Sequence, residues 1–204
     1  QNVKFKKNFG PLLGDLNLSD ISRVKKTEFS NKLLPIYKSI KKIKKNNLIK
    51  DKNLIGFVGA PWTLLVYMIN KHSPKNKLKE DFFKDKILIG ELLIFINTFL
   101  KIHIKNQIEN GATIIQIFDS WAGLLKEKDL PFYVYEPTFN LVNYLKKLGI
   151  PAVCFPRGIK NYKKFCNIVK PDAVNIDYKV DPVSIVKDLD IPVQGGLDPK
   201  ILLT

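Results

Sequence analysis

Five short apolar runs alternate with stretches of helical spacing, and this alternation constrains the chain more than any other feature. The runs start at Leu54, Thr113, Ile150, Ala173 and Ile191. The later spacings are close to the shortest that a strand–helix–strand unit allows. Such alternation argues for a parallel sheet with helices outside it, an α/β class. Helices are expected over 81–110, 137–147, 161–169 and 182–189, with Gly111 and Gly149 as stops and Asp181 as a cap.

The first run is the most informative. Leu54, Ile55, Phe57 and Val58 suit a parallel strand covered on both faces. Gly56 and Gly59 admit the close approach of other backbone or of a ligand. Pro61 fits the first turn of a helix, where its missing N–H costs nothing. Tyr67 then lies about two turns into that helix, so its position alone does not put it in a site. The second run, Thr113 to Phe118, closes on Asp119 and Ser120. A buried strand ending in an acid and a hydroxyl suits either chemistry at a strand end or the capping of a following helix.

Before the first run the pattern is weaker. Residues 1–18 read as an irregular entry with a turn at Phe9-Gly10-Pro11. Residues 19–45 read as two helical pieces. Ser19 or Asp20 would cap the first, and Pro35 would open the second with Ile36, Ile40 and Ile43 on one stripe. The chain begins at Gln1 and ends in Ile201-Leu202-Leu203-Thr204, within a helix-like pattern. Both ends read as cut, so residues 1–204 are expected to be a single domain that is an internal piece of a longer protein.

Charge asks for a partner to be considered. There are 34 basic and 19 acidic residues, a net charge of +15. Only Arg23 and Arg157 are arginine, whereas nucleic-acid sites favour the bidentate arginine fork. The lysines accompany many Asn and Ile, as a general compositional bias produces, and no nucleic-acid partner is expected. No uninterrupted apolar run reaches the roughly 18 residues of a membrane span. The best candidate, Ile87 to Leu100, is broken by Glu91 and Asn97, so no membrane partner is expected. Cys154 and Cys166 follow no signal-like segment and read as free thiols of a reducing compartment, which places the protein in the cytoplasm. Cys154 reads as a small core residue. His72 and His103 lie far from both cysteines, so no zinc spacing appears and no metal is expected. Neither a dinucleotide fingerprint nor a phosphate loop is present, and Ser120 stands in Asp-Ser-Trp-Ala-Gly, not a nucleophile elbow. No cofactor is expected.

Gly56 to Tyr67, G-F-V-G-A-P-W-T-L-L-V-Y, resembles the internal signature of the uroporphyrinogen decarboxylase family. Gln116 to Gly123, Q-I-F-D-S-W-A-G, resembles that family's second motif, and a Leu-Asp-Pro at Leu197 to Pro199 follows in order. Two departures stand out. The family usually continues after the tyrosine with an acid and a glycine, where Asn70-Lys71-His72 stand here, and it usually has Gly-Asn before Leu-Asp-Pro, where Gly196 stands.

The resemblance implies an incomplete (β/α)8 TIM barrel, roughly its strands three to seven. It implies removal of the four acetate carboxyls of uroporphyrinogen III to give coproporphyrinogen III, without cofactor or metal. The pyrrole acts as electron sink after ring protonation. In the family a central aspartate and two arginines carry that chemistry, and all three fall before Gln1, so no catalytic residue is assigned within 1–204 and the piece alone is expected to be inactive. Two family contacts to substrate carboxylates match Tyr67 and Ser120. Phe118 and Asp119 would shape the rim, and Arg157 is a further candidate anion contact that no motif supports. The small-molecule substrate is polyanionic, and the family implies a homodimer. The alternative is a corrinoid-linked methyltransferase of the same superfamily, which uses a His-x-Cys zinc motif.

Overall fold

The computed structural model describes residues 3–7, 10–16, 21–49, 51–75 and 77–203. Strands β1 (Val3–Lys6) and β2 (Gly10–Leu13) pair antiparallel ahead of the main sheet. This corrects the irregular entry expected there: strands of four residues carry too short an alternation to read. Gly10 and Pro11 lie within β2, while Phe9 lies outside the described residues. A proline is tolerated because both strands of a two-stranded ribbon are edges. The cap expected at Ser19 or Asp20 also lies outside the described residues.

Helices α1 (Lys26–Lys32) and α2 (Leu34–Lys44) follow, with Pro35 in the first turn of α2 as expected. The buried face of α2 is not the isoleucine stripe. Ile36 and Ile43 are exposed and Tyr37 is buried. The Tyr37 hydroxyl lies 2.9 Å from His103 Nδ1, a polar contact that periodicity does not signal.

The main body runs β3 (Ile55–Gly59), α3 (Pro61–Asn70), α4 (Lys86–Glu109), β4 (Ile114–Asp119), α5 (Glu136–Lys147), β5 (Ala152–Pro156), α6 (Tyr162–Val169), β6 (Ala173–Ile176), α7 (Pro182–Asp188) and β7 (Val193–Gly195). Strands β3 to β7 are all parallel, and their spatial order follows the sequence. Right-handed crossovers that always step the same way put every helix on one face. A doubly wound sheet would reverse its strand order. The sheet is therefore wound like an arc of a barrel wall, in keeping with the incomplete (β/α)8 TIM barrel that the resemblance implies.

Register sorts the strand residues into two faces. Val58, Ile115, Ile117, Cys154, Val174 and Ile176 point to the helices and are buried. On the other face Phe57, Phe118 and Phe155 form a row, with ring centroids 6.0 Å and then 6.2 Å apart and edges turned to faces. Phe57 is 64% exposed. Strand β3 is thus covered on one face only, not on both, because nothing among the described residues stands opposite this side of the arc. Strand β7 also begins later than the apolar run suggested. Pairing with β6 sets its register, Val174 with Val193 and Asn175 with Gln194, and carries it into residues with no apolar signal.

Helix α4 starts at Lys86, five residues after the expected Asp81. The Asp85 carboxylate accepts the Leu88 N–H at 2.9 Å and caps it there. Gly111 ends the helix at φ 119°. By length and composition this helix is apolar enough to cross a membrane, despite Glu91 and Asn97. Its stripe Ile89, Leu92, Leu93, Ile96, Leu100 and Ile104 is instead buried in the protein core. Helix α5 is preceded by a π turn, Pro131–Tyr135, which the sequence does not announce. Cys154 and Cys166 are buried and free.

Candidate functional site

The C-terminal ends of the parallel strands lie along one edge of the sheet, where loops rather than core packing decide what is presented. The two resembling motifs meet there. Ala60 N–H donates to the Phe118 carbonyl at 2.8 Å. Trp62 Nε1–H donates to the Trp121 carbonyl at 2.9 Å. The Thr63 hydroxyl donates to Asp119 Oδ1 at 2.7 Å. At the start of α3, Ala60 through its backbone and Trp62 and Thr63 through their side chains thus hold the end of β4 and the turn after it. Trp62 itself is fully enclosed among Phe82, Phe83 and Tyr133.

Asp119 is 3% exposed. Burial pushes its carboxyl up to about 7, against the opposing hydrogen bonds from Thr63 and the Trp121 backbone. It does not shape a rim: it points to the helix side, behind the strand end.

Ser120 does reach an open cleft of about 640 Å³ between the β4, β5 and β6 ends, together with Lys75, Trp121, Arg157, Asp177 and Lys179. Arg157 Nε donates to Asp177 Oδ2 at 3.2 Å, with side-chain exposures of 48% and 8%. The other Asp177 oxygen accepts the Lys179 N–H at 3.1 Å, and the Asp177 N–H donates to the Tyr162 hydroxyl at 3.3 Å. Asp177 is therefore a fixed anchor, and the half-exposed guanidinium hangs from it at the cleft. The cleft walls touch through glycine: a Cβ on Gly123 would stand 2.7 Å from the Gly158 carbonyl oxygen, and Gly123 N–H donates to the Arg157 carbonyl at 3.0 Å.

Among the residues singled out from sequence, Ser120 and Arg157 come together in this cleft. Tyr67 stands outside its lining, with its ring 6.2 Å from the Trp121 ring. Phe118 lies in the aromatic row on the open face. Sequence reasoning missed Thr63, Lys75, Asp177 and Lys179. The acid Asp177 closing the β6 run was the one available signal, of the same kind as Asp119. Lysine and arginine beside buried acid give a cationic, hydrogen-bonding cleft suited to carboxylates.

The two departures have structural readings. Asn70 is buried, and its Oδ1 accepts the Lys79 N–H at 3.4 Å. Lys71 takes φ 65°, the left-handed conformation that favours glycine after a helix. Gly196 has φ 94°, and a Cβ there would find ordinary contact with Ile176 at 3.7 Å. Among the described residues no group of three His, Cys, Asp or Glu side chains is placed to hold a metal ion.

The family model described as uroporphyrinogen decarboxylase (URO-D) matches residues 1–204. A protein named uroporphyrinogen decarboxylase from Rickettsia bellii is 39% identical over 99% of this chain and 61% of its own length. Proteins of the same name from Rickettsia akari and Rickettsia felis are 37% and 36% identical, again over 99% of this chain and over 61% and 60% of their own lengths. The chain thus spans about 61% of the length of the curated relatives it matches.

Proposed function

The chain belongs to the uroporphyrinogen decarboxylase family, and from that premise we propose that it acts in the decarboxylation of uroporphyrinogen III to coproporphyrinogen III. Each step breaks the bond between an acetate methylene and its carboxylate. Carbon dioxide leaves and the bonding electrons pass into the protonated pyrrole; the methylene then takes a proton to become a methyl group, and the ring releases the proton it had gained. Four repeats convert four acetates. The family's central aspartate and two arginines match no position in residues 1–204, so this chain's own part is to bind and orient carboxylates.

The observation that carries the reading is the convergence at the β4 and β5 ends. Ser120 and Arg157 share one cleft with Lys75 and Lys179, and Tyr67 packs against its Trp121 wall. Hydroxyl and cationic donors on one cleft suit a substrate with several carboxylates, each a charge-assisted partner. The aromatic row Phe57, Phe118 and Phe155 offers an apolar wall beside them. Residues 1–204 are proposed to form one unit within a larger barrel. The whole protein is proposed to act in the cytoplasm as a homodimer.

The test is an anaerobic incubation of the complete gene product with uroporphyrinogen III, followed by oxidation and chromatographic separation of the porphyrins. Conversion to coproporphyrin, with four carbon dioxide molecules released per substrate, supports the proposal. Stoichiometric zinc and no conversion would move the protein to the methyltransferase branch. Tyr67→Phe and Ser120→Ala are expected to weaken substrate handling without unfolding the protein, and unchanged catalytic efficiency in both would remove their assigned role.

A further inference from the structure

Building on the decarboxylase reading, we infer that Thr63 and Asp119 are a positioning pair, whose buried hydrogen bond fixes where Tyr67 and Ser120 stand relative to each other. The two proposed carboxylate contacts sit on different elements, one on α3 and one on the turn after β4. They keep a constant separation only if those elements are tied close to them. Thr63 is one helical turn before Tyr67 and shares its side of α3. Asp119 directly precedes Ser120. Their 2.7 Å bond joins the two elements at that place.

The pair is an expensive way to hold a helix on a sheet. Thr63 is 5% exposed and Asp119 3%. An ionisable carboxyl at such a spot is disfavoured unless it is hydrogen-bonded, and apolar groups of similar size would pack there at less cost. Apolar adhesion is already supplied by Trp62, Leu65 and Val66, all fully buried. What the hydroxyl–carboxyl bond adds is direction: shielded from water, it is short, stiff and costly to break. The Trp62 bond to the Trp121 carbonyl and the Tyr67–Trp121 ring contact continue the same seam toward the cleft.

The test uses the complete enzyme with Thr63→Val, Thr63→Ser and Ser120→Ala, alone and combined. Thr63→Val is expected to raise KM for uroporphyrinogen about tenfold, with kcat changed less, since sub-ångström misplacement of contacts is costly. Thr63→Ser keeps the hydroxyl and is expected to restore KM to within about twofold of wild type. In the Ser120→Ala background the Thr63→Val effect is expected to shrink to about threefold or less, because residues acting through one another are not additive. Thr63→Ala removes the same hydroxyl and carries the same expectations if Thr63→Val does not fold. An unchanged KM in Thr63→Val, a full tenfold effect in the Ser120→Ala background, or failure of Thr63→Ser to rescue would overturn the pairing. A wild-type enzyme without turnover would instead remove the decarboxylase reading, and the pairing with it, before any variant is compared.

Discussion

The place of a side chain at Gly56 is taken by the amide of Gln107. A Cβ built on Gly56 would stand 2.7 Å from Gln107 Oε1. That oxygen accepts the Phe57 N–H at 3.1 Å, and the Gln107 Nε2 donates to the Phe57 carbonyl at 3.0 Å. A side chain of α4 thereby pairs both polar groups of one residue in β3, the edge strand of the arc. Glycine is needed because the amide must come as close as a neighbouring strand would.

Gly56→Ala should therefore lower stability by about 1–3 kcal/mol through overpacking. Gln107→Leu should cost a similar amount, about 1–3 kcal/mol, by leaving the Phe57 groups unpaired. The double variant should lose clearly less than the sum, because both changes break one arrangement. Urea unfolding of the four proteins measures this, and additive losses would contradict it.

Asp119 predicts a pH dependence of stability. An unfolded aspartate ionises near 3.8, whereas in the fold burial raises the carboxyl to about 7. Below the lower value both states are protonated and burial of the carboxyl is harmless. Between the two values the folded state holds a proton that the unfolded state has lost, so this group's contribution falls as pH rises and is gone above about 7. The full effect is on the order of 4 kcal/mol. Asp119→Asn should flatten the difference between stabilities measured near pH 4 and pH 8. An equal pH dependence in wild type and variant would refute the assignment.

Arg157 should not be replaceable by lysine. Its Nε bond to Asp177 aims the guanidinium, and an ammonium cannot both keep that bond and offer a fork to a carboxylate. On the proposed function, Arg157→Lys in the complete protein is expected to raise KM for uroporphyrinogen several-fold. Stability should change by less than about 1 kcal/mol, as for other half-exposed ion pairs. Steady-state kinetics with thermal melts separates the two effects.

Lys71 should be improvable. It ends α3 in the left-handed conformation at φ 65°, which disfavours a side chain by about 1 kcal/mol. Lys71→Gly removes that strain, though it also gives up the ion pair with Asp15. A net gain of about 0.5–1 kcal/mol is expected in thermal unfolding, and a loss would show that the ion pair outweighs the backbone term.

Much of the architecture was legible because it depends on local pattern. Pro61 and Pro35 open helices where expected, Asp181 caps α7 through the Val183 and Ser184 N–H groups, and Gly111 and Gly149 end helices at positive φ. The misreadings share a cause. β1 and β2 are too short to show alternation, β7 owes its register to β6, and the buried face of α2 is chosen by a contact from Tyr37 to His103. Each depends on a partner distant in the sequence.

The candidate site divides in the same way. Ser120 and Tyr67 were legible through their motifs, and Asp119 was legible as an acid at a strand end. Its burial against Thr63, 56 residues earlier, was not. Neither was the anchoring of Arg157 on Asp177, 20 residues later. By itself the sequence determined the alternation of strands and helices, most of the helix ends and the family, because these are written in neighbouring residues and in short ordered motifs. Only the tertiary structure decided which face of each strand is covered, which acid is buried and which aims a cation. Those outcomes follow from long-range packing, where desolvation and a particular partner, not residue type, set what a side chain does.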